Sequence, residues 1–276
     1  MFSRILTVAG QEIRIGIRNR WILLATLILA VFSLALALLG SAPAGTLGVD
    51  RLTITVASLA SLSVYLVPLI ALLLAFDAIC GEVEKGTLLM TFSCPISRTE
   101  FLIGKALGHT LVLTFALVIG YGLTAGLLVG MGAGSTAGLT DFARLIATSI
   151  LLGVCFLALG YVLSSLTRQS GTAAAAAIAA WLVLVVLYDL ALLGALVANP
   201  SGVFASSVFP YAVLLNPADA FRLFNLTALG ASELVGGMAG VSETLPFDPR
   251  FALVSLIVFV AVALSASAVL IRRITP

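Results

Sequence analysis

Apolar residues run along this chain in membrane-length stretches, and the polar residues gather in the gaps between them. Residues 22–49 and 52–76 carry no charge, residues 106–140 contain only His109, and 145–167, 169–188 and 251–271 again carry none. A helix of about 20 apolar residues crosses the roughly 30 Å of a hydrocarbon core. The runs are continuous rather than alternating, which predicts helices and not a barrel. The pattern therefore predicts an all-α membrane protein, a single transmembrane domain over 1–276 with spans at 22–40, 55–76, 105–130, 143–166, 173–198 and 251–271.

The segments around the spans have patterns of their own. In residues 2–20, Phe2, Ile5, Leu6, Ala9, Ile13 and Ile17 recur at helical spacing, with Arg4, Gln11, Arg14 and Arg18 opposite. This predicts an amphipathic helix lying in the membrane interface. Ser97 followed by Glu100 makes a capping box that starts the third helix. Asp50, Asp141 and Asp248-Pro249 are candidate starts for the second, fourth and sixth. Segment 199–250 is long and Gly-rich, but Asn216-Pro217-Ala218-Asp219 reads as a capped helix start. A short external helical element is expected there, with Phe204, Phe209 and Tyr211 as interfacial anchors and Gly236–Gly240 as a turn.

Composition removes a water-soluble fold. Only 9% of the 276 residues are charged, against about 25% in soluble domains. With the N-terminus inside, one side collects Arg4, Arg14, Arg18, Arg20, Lys85, Arg98, Lys105, Arg168, Arg272 and Arg273. The other keeps Arg51, Arg144, Arg222 and Arg250. This bias puts both termini and residues 77–104 in the cytoplasm and 199–250 outside. Ala42-Pro43-Ala44 imitates a signal-peptidase site, but the apolar run before it is longer than a signal core and predicts a retained span. Cys80, Cys94 and Cys155 show no pairing pattern, and cytoplasmic thiols stay reduced.

Candidate chemistry is sparse. There is no phosphate-binding G-x-x-x-x-G-K-[ST] loop, so ATP hydrolysis is not expected of this chain. Met90, Met131, Met238, His109 and the cysteines are too scattered in sequence to predict a metal site, since copper(I) wants several soft ligands together. Asp77, His109 and Asp189 are the polar residues that fall in or at the edge of spans. Asp77 reads as a boundary residue and His109 as a polar packing residue. Asp189 lies deeper and needs a partner or a cavity. The most informative stretch is the hydrophilic segment 77–104, which protrudes between two uncharged runs and offers a handle to anything acting from water.

Within that segment, Glu82-x-Glu84-x-Gly86-Thr87-Leu88, then Pro95-Ile96-Ser97-Arg98 and Gly104-Lys105, resembles the cytoplasmic coupling segment of type-2 ABC transporter permeases. The resemblance spans essentially the whole chain. Arg18-Asn19-Arg20-Trp21, Ala57–Leu62, Pro68–Ala75 and Leu215–Phe224 carry a closer likeness to the permeases of the system that matures the copper site of nitrous oxide reductase. The likeness implies a non-enzymatic permease of the bacterial inner membrane. It implies a second copy of the chain, a cytoplasmic ABC ATPase dimer that holds the ATP and Mg, and a periplasmic β-helical partner. It implies no cofactor and no nucleic acid bound by this chain. Glu82, Glu84, Lys85, Gly86, Thr87, Leu88, Pro95 and Arg98 would then contact the ATPase. Asn216, Asp219, Phe221, Arg222 and Phe224 are the candidates for docking the periplasmic partner. The competing expectations are an exporter of another cargo, and a scaffold or secondary transporter; the last would show broken helices and paired charges at mid-membrane.

Overall fold

The computed structural model describes residues 2–39, 51–132, 136–199, 202–229 and 247–274, and among these every regular element is helical. Helix α1 (Phe2–Arg18) is followed by α2 (Arg20–Leu39), bent 66° from it. Helix α3 (Arg51–Ala75) leads through a turn into the short α4 (Cys80–Glu84) and α5 (Thr87–Ser93). Then come α6 (Arg98–Gly130) and α7 (Thr136–Leu166). The next rod is α8 (Ser170–Trp181), a π-helical turn at Leu182–Leu187, and α9 (Tyr188–Ala198). A π-turn at Phe204–Val208, α10 (Phe209–Leu215), α11 (Pro217–Ala228) and α12 (Phe251–Arg273) complete the chain.

Five of these rods are long and apolar enough to cross a membrane: 54–84, 98–130, 136–166, 170–198 and 251–273. The bent pair α1–α2 adds a sixth if its two helices together count as one span. The chain is thus a multi-pass helical membrane protein. Helix α7 is its axis, packed between α3 and α12, with α6 alongside. Tyr121, Tyr161, Phe142 and Phe156 are fully buried there, while large apolar side chains such as Phe115, Leu123 and Val262 face outward, as a lipid-solvated surface requires.

Local signals explain several boundaries. Ser97 Oγ accepts from the Glu100 N–H while the Glu100 carboxylate accepts from the Ser97 N–H at 2.8 Å, so the capping box forms and starts α6. Asn216 caps α11 by accepting from the Ala218 N–H at 3.1 Å, with Pro217 at the first position. Asp248 accepts from the Arg250 N–H and closes the turn before α12. Asp141 is a correction: α7 already begins at Thr136, and Asp141 pairs with Arg144 one turn on at 2.9 Å. Asp50, Ala42–Ala44 and Gly236–Gly240 lie outside the described residues.

Close approach between rods is achieved by glycine. A Cβ on Gly160 of α7 would sit 2.6 Å from the Ala75 Cβ of α3. In contrast, a Cβ on Gly126 of α6 would meet nothing within 4 Å. Gly160→Val should therefore lower stability by about 1–3 kcal/mol, the usual cost of overpacking, and Gly126→Ala should leave it unchanged. Thermal unfolding of the detergent-purified variants checks this, and equal midpoints for the two would contradict the packing assigned to α3 and α7.

Candidate functional site

Segment 77–104 is folded, not a loop. Asp77 sits half-buried in the turn that ends α3. Ser164 of α7 then accepts from the N–H groups of both Ile79 and Cys80, at 3.0 Å each. A neighbouring span thereby satisfies the first amides of α4, which has no side-chain cap of its own. Between α4 and α5 the chain turns at Gly86 with φ +70°. That left-handed conformation favours glycine over any residue with a Cβ. Leu88 of α5 is buried against the bundle, whereas Leu89 and Met90 are exposed at 56% and 75%.

The charged residues of the segment are held by the ends of the spans. Glu82 Oε1 lies 2.6 Å from Lys105 Nζ of α6, and Glu12 Oε1 of α1 lies 2.5 Å from the same ammonium. Glu12 Oε2 accepts from His109 Nε2 at 3.1 Å, since a carboxylate can only accept. In a neutral imidazole the Tyr161 hydroxyl, 2.6 Å away, then donates to Nδ1. Glu12, Lys105 and His109 are all buried. Glu84 accepts from the Ser170 N–H at 2.8 Å and from its hydroxyl at 2.5 Å, at the start of α8. These two donors hold the Glu84 carboxyl below its ordinary range. Arg98 donates to the carbonyls of Ile271, Arg272 and Ile274 at 2.7–2.9 Å, where α12 ends. A guanidinium at a helix C-terminus is favourable both as donor and as charge. The segment thus makes polar contact with α1, α6, α7, α8 and α12.

This placement bears on each residue named from the sequence. Glu82, Glu84 and Arg98 reach inward to the protein's own helices, while Lys85, Thr87 and Pro95 remain exposed. Leu89 and Met90, not named above among the coupling candidates, are the apolar residues that α5 turns to the outside. Glu12 was not legible either. The protein-facing side of α1 is Ile5, Ala9, Glu12 and Gly16, whereas Phe2, Leu6 and Ile17 point away.

A second polar group forms at the other end of the bundle, where α11 packs against α3, α7 and α12. Arg222 donates to Asp189 of α9 at 2.9 Å and lies 3.8 Å from Asp219. Asn216 donates to Asp219 at 2.9 Å and to the Leu184 carbonyl at 2.6 Å. That carbonyl belongs to the π-helical turn, whose widened pattern changes the backbone bonding of the rod. Asn216, Asp219 and Phe221 are buried, Phe224 is partly buried, and Arg222 has 15% of its side chain exposed. Phe221, one of the docking candidates, is not on the surface: its ring sits in the main apolar core. Phe209 is buried as well, and Tyr211 is exposed.

These features define a membrane-embedded helical bundle with a hydrophilic segment clasped to its helix ends among the described residues. The chain matches the model of the ABC-2 family transporter proteins over residues 6–273, and it belongs to that family. It is 41% identical over 269 residues to a probable ABC transporter permease protein NosY of Pseudomonas aeruginosa, with 97% of each chain covered. A probable ABC transporter permease protein NosY of Stutzerimonas stutzeri is 39% identical over 273 residues, covering 98% of this chain and 99% of that one. Membership of the family implies an ATPase partner and a membrane setting.

Two outcomes follow from the charges. Lys105→Met strands two carboxylates, one of them buried, and should cost about 3–5 kcal/mol. Adding Glu12→Gln should recover part of that loss in thermal unfolding, and no recovery would mean the pair is not coupled. At the other end, burial pushes the Asp219 carboxyl up to about 7, with Arg222 opposing and Asp189 reinforcing it. The folded state then binds more protons than the unfolded state between the ordinary value of 3.8 and about 7. This group's contribution to stability is therefore greatest in acid and falls as pH rises through that window. Asp219→Asn should flatten that part of the pH–stability curve, as read by unfolding midpoints at a series of pH values.

Proposed function

We propose that this chain is the permease subunit of an ATP-driven complex that supports copper-site maturation of nitrous oxide reductase. It would work as a homodimer with two cytoplasmic ATPase subunits, and would pass their motion to a periplasmic β-helical partner or move a copper- or sulfur-related cargo. The observation that carries the reading is segment 80–98. It presents an exposed apolar pair, Leu89 and Met90, on a short helix flanked on both sides by residues bonded to the ends of the spans. An ATPase holding α5 from water would pull on α6 through Glu82 and Lys105, on α8 through Glu84, and on α12 through Arg98.

The copper connection is supported by likeness to the two NosY relatives and to the permeases of the maturation system. The outer end supports transmission of motion. Asn216 and Arg222 bond the external helix α11 to the rod that begins beside Glu84, so displacement of that rod has a direct route to the face where a periplasmic protein would dock. The distribution of cations supports a cytoplasmic position for both termini and for 77–104.

Leu89→Asp with Met90→Asp should abolish copurification of the ATPase from mild detergent while the permease still inserts. Undiminished ATPase in the pull-down would overturn the coupling assignment. The same pull-down from wild type separates cargoes: a periplasmic β-helical protein supports the copper-site reading, and its absence in the presence of the ATPase favours an exporter of a lipid, drug or ion.

A further inference from the structure

The bend between α1 and α2 carries charge that the coupling network does not use. Arg14, Arg18 and Arg20 are exposed there and make no ion pair among the described residues. A cleft of about 430 Å³ opens at this point, lined by Arg14, Ile15, Arg18 and Asn19. Asn19 is the single residue between the helices: its N–H donates to the Gly16 carbonyl and its own carbonyl starts α2. The positive end of the α2 dipole therefore lies beside the two guanidinium groups.

Helix α2, which starts at this bend, carries an apolar stripe open to the surroundings. Leu24, Leu27, Ile28 and Val31 are 44%, 59%, 37% and 55% exposed at helical spacing. A phosphate-sized anion alone would use the guanidinium groups and leave the stripe uncovered. A molecule with a phosphate head and long acyl chains uses both. The two Arg forks suit phosphate oxygens better than point charges would, and long apolar chains are what the stripe would be covered by in a bilayer.

We propose that the elbow is a binding site for one anionic phospholipid. Its phosphate group sits between Arg14 and Arg18, and its chains lie along Leu24–Val31. The site makes α1 sensitive to the lipid around it. Because α1 holds Lys105 through Glu12, an occupied elbow would also fix one wall of the coupling network. The assignment does not depend on the cargo or on the ATPase.

The test is native mass spectrometry of the full-length chain in mild detergent, titrated with phosphatidylglycerol or with phosphatidylethanolamine. The wild type should retain phosphatidylglycerol preferentially. Arg14→Gln with Arg18→Gln should weaken that binding on the order of tenfold or more, from about 1 kcal/mol per basic residue. Arg272→Gln with Arg273→Gln removes the same charge from exposed positions at the end of α12 and should leave it intact. Equal affinity in wild type and elbow variant would overturn the site. Equal losses in both variants would reduce it to net charge. Displacement of the lipid by glycerol phosphate at similar concentration would show a free-anion site and overturn the lipid assignment. Size-exclusion profiles confirm that both variants are folded.

Discussion

One buried ammonium organises the end of the bundle onto which segment 77–104 folds. Lys105 has 5% of its side chain exposed and sits between the carboxylates of Glu12 and Glu82. Removed from water, a lone cation at this depth would be strongly unfavourable, and one carboxylate would not satisfy its three donors. Two carboxylates from different parts of the chain can, and their requirement draws α1 and α4 onto α6. The Glu12 carboxylate then has a second oxygen to satisfy, which fixes His109, which in turn meets Tyr161 on α7. A single desolvated charge thus determines the relative placement of four helices.

The arrangement needs backbones that come close, and the sequence supplies them on both sides. A Cβ on Gly108 would lie 2.6 Å from the Glu12 Cβ and 2.9 Å from the Ala9 carbonyl oxygen, and one on Gly104 would lie 2.6 Å from the Val8 Cβ. On α1, a Cβ on Gly16 would meet Val112 at 2.7 Å. Small residues at a helix crossing let the axes approach until side chains of moderate length span the gap. Glu12 could not otherwise reach both Lys105 and His109. Packing and charge pairing at this crossing are therefore one constraint.

What could be read from the sequence divides by range. The starts of α6 and α11 were legible because Ser97 and Glu100, or Asn216 and Pro217, act on their immediate neighbours. The long apolar rods were legible because hydrocarbon imposes their length. Glu12 was not, because its partner Lys105 is 93 residues away and a periodicity reading assigns a carboxylate to the polar face. The π-helical turn was not, because Leu182–Leu187 is an ordinary apolar run that no residue type marks. The burial of Phe221 was not legible for a related reason: an aromatic on a short helix can face lipid, a partner or the core, and tertiary packing alone decides. Among the candidate coupling residues, Glu82, Glu84 and Arg98 turn to the ends of the protein's own helices, the reverse of a handle that simply protrudes, while Lys85 stays exposed; charge in a membrane protein can be spent on helix ends as well as on water.

That reversal changes how force would travel. A segment anchored only through its two covalent ends would absorb a pull by rotating about Gly86, whose left-handed turn is the soft point between α4 and α5. Here α4 is fixed on one side of that turn by Ser164, Lys105 and Ser170, and on the other side the chain is fixed by Arg98 at the end of α12. Freedom is left to α5 alone. A displacement of α5 beyond what the Gly86 turn can take up must therefore move the helix ends bonded to its flanks. The rod 170–198 would carry such a displacement furthest, because its first residue is held by Glu84 and its π-helical turn by Asn216. The widened turn is the one place along that rod where the bonding pattern departs from α-helical, and α11 is bonded there through Asn216, so a bend of the rod at that turn would act on α11 directly.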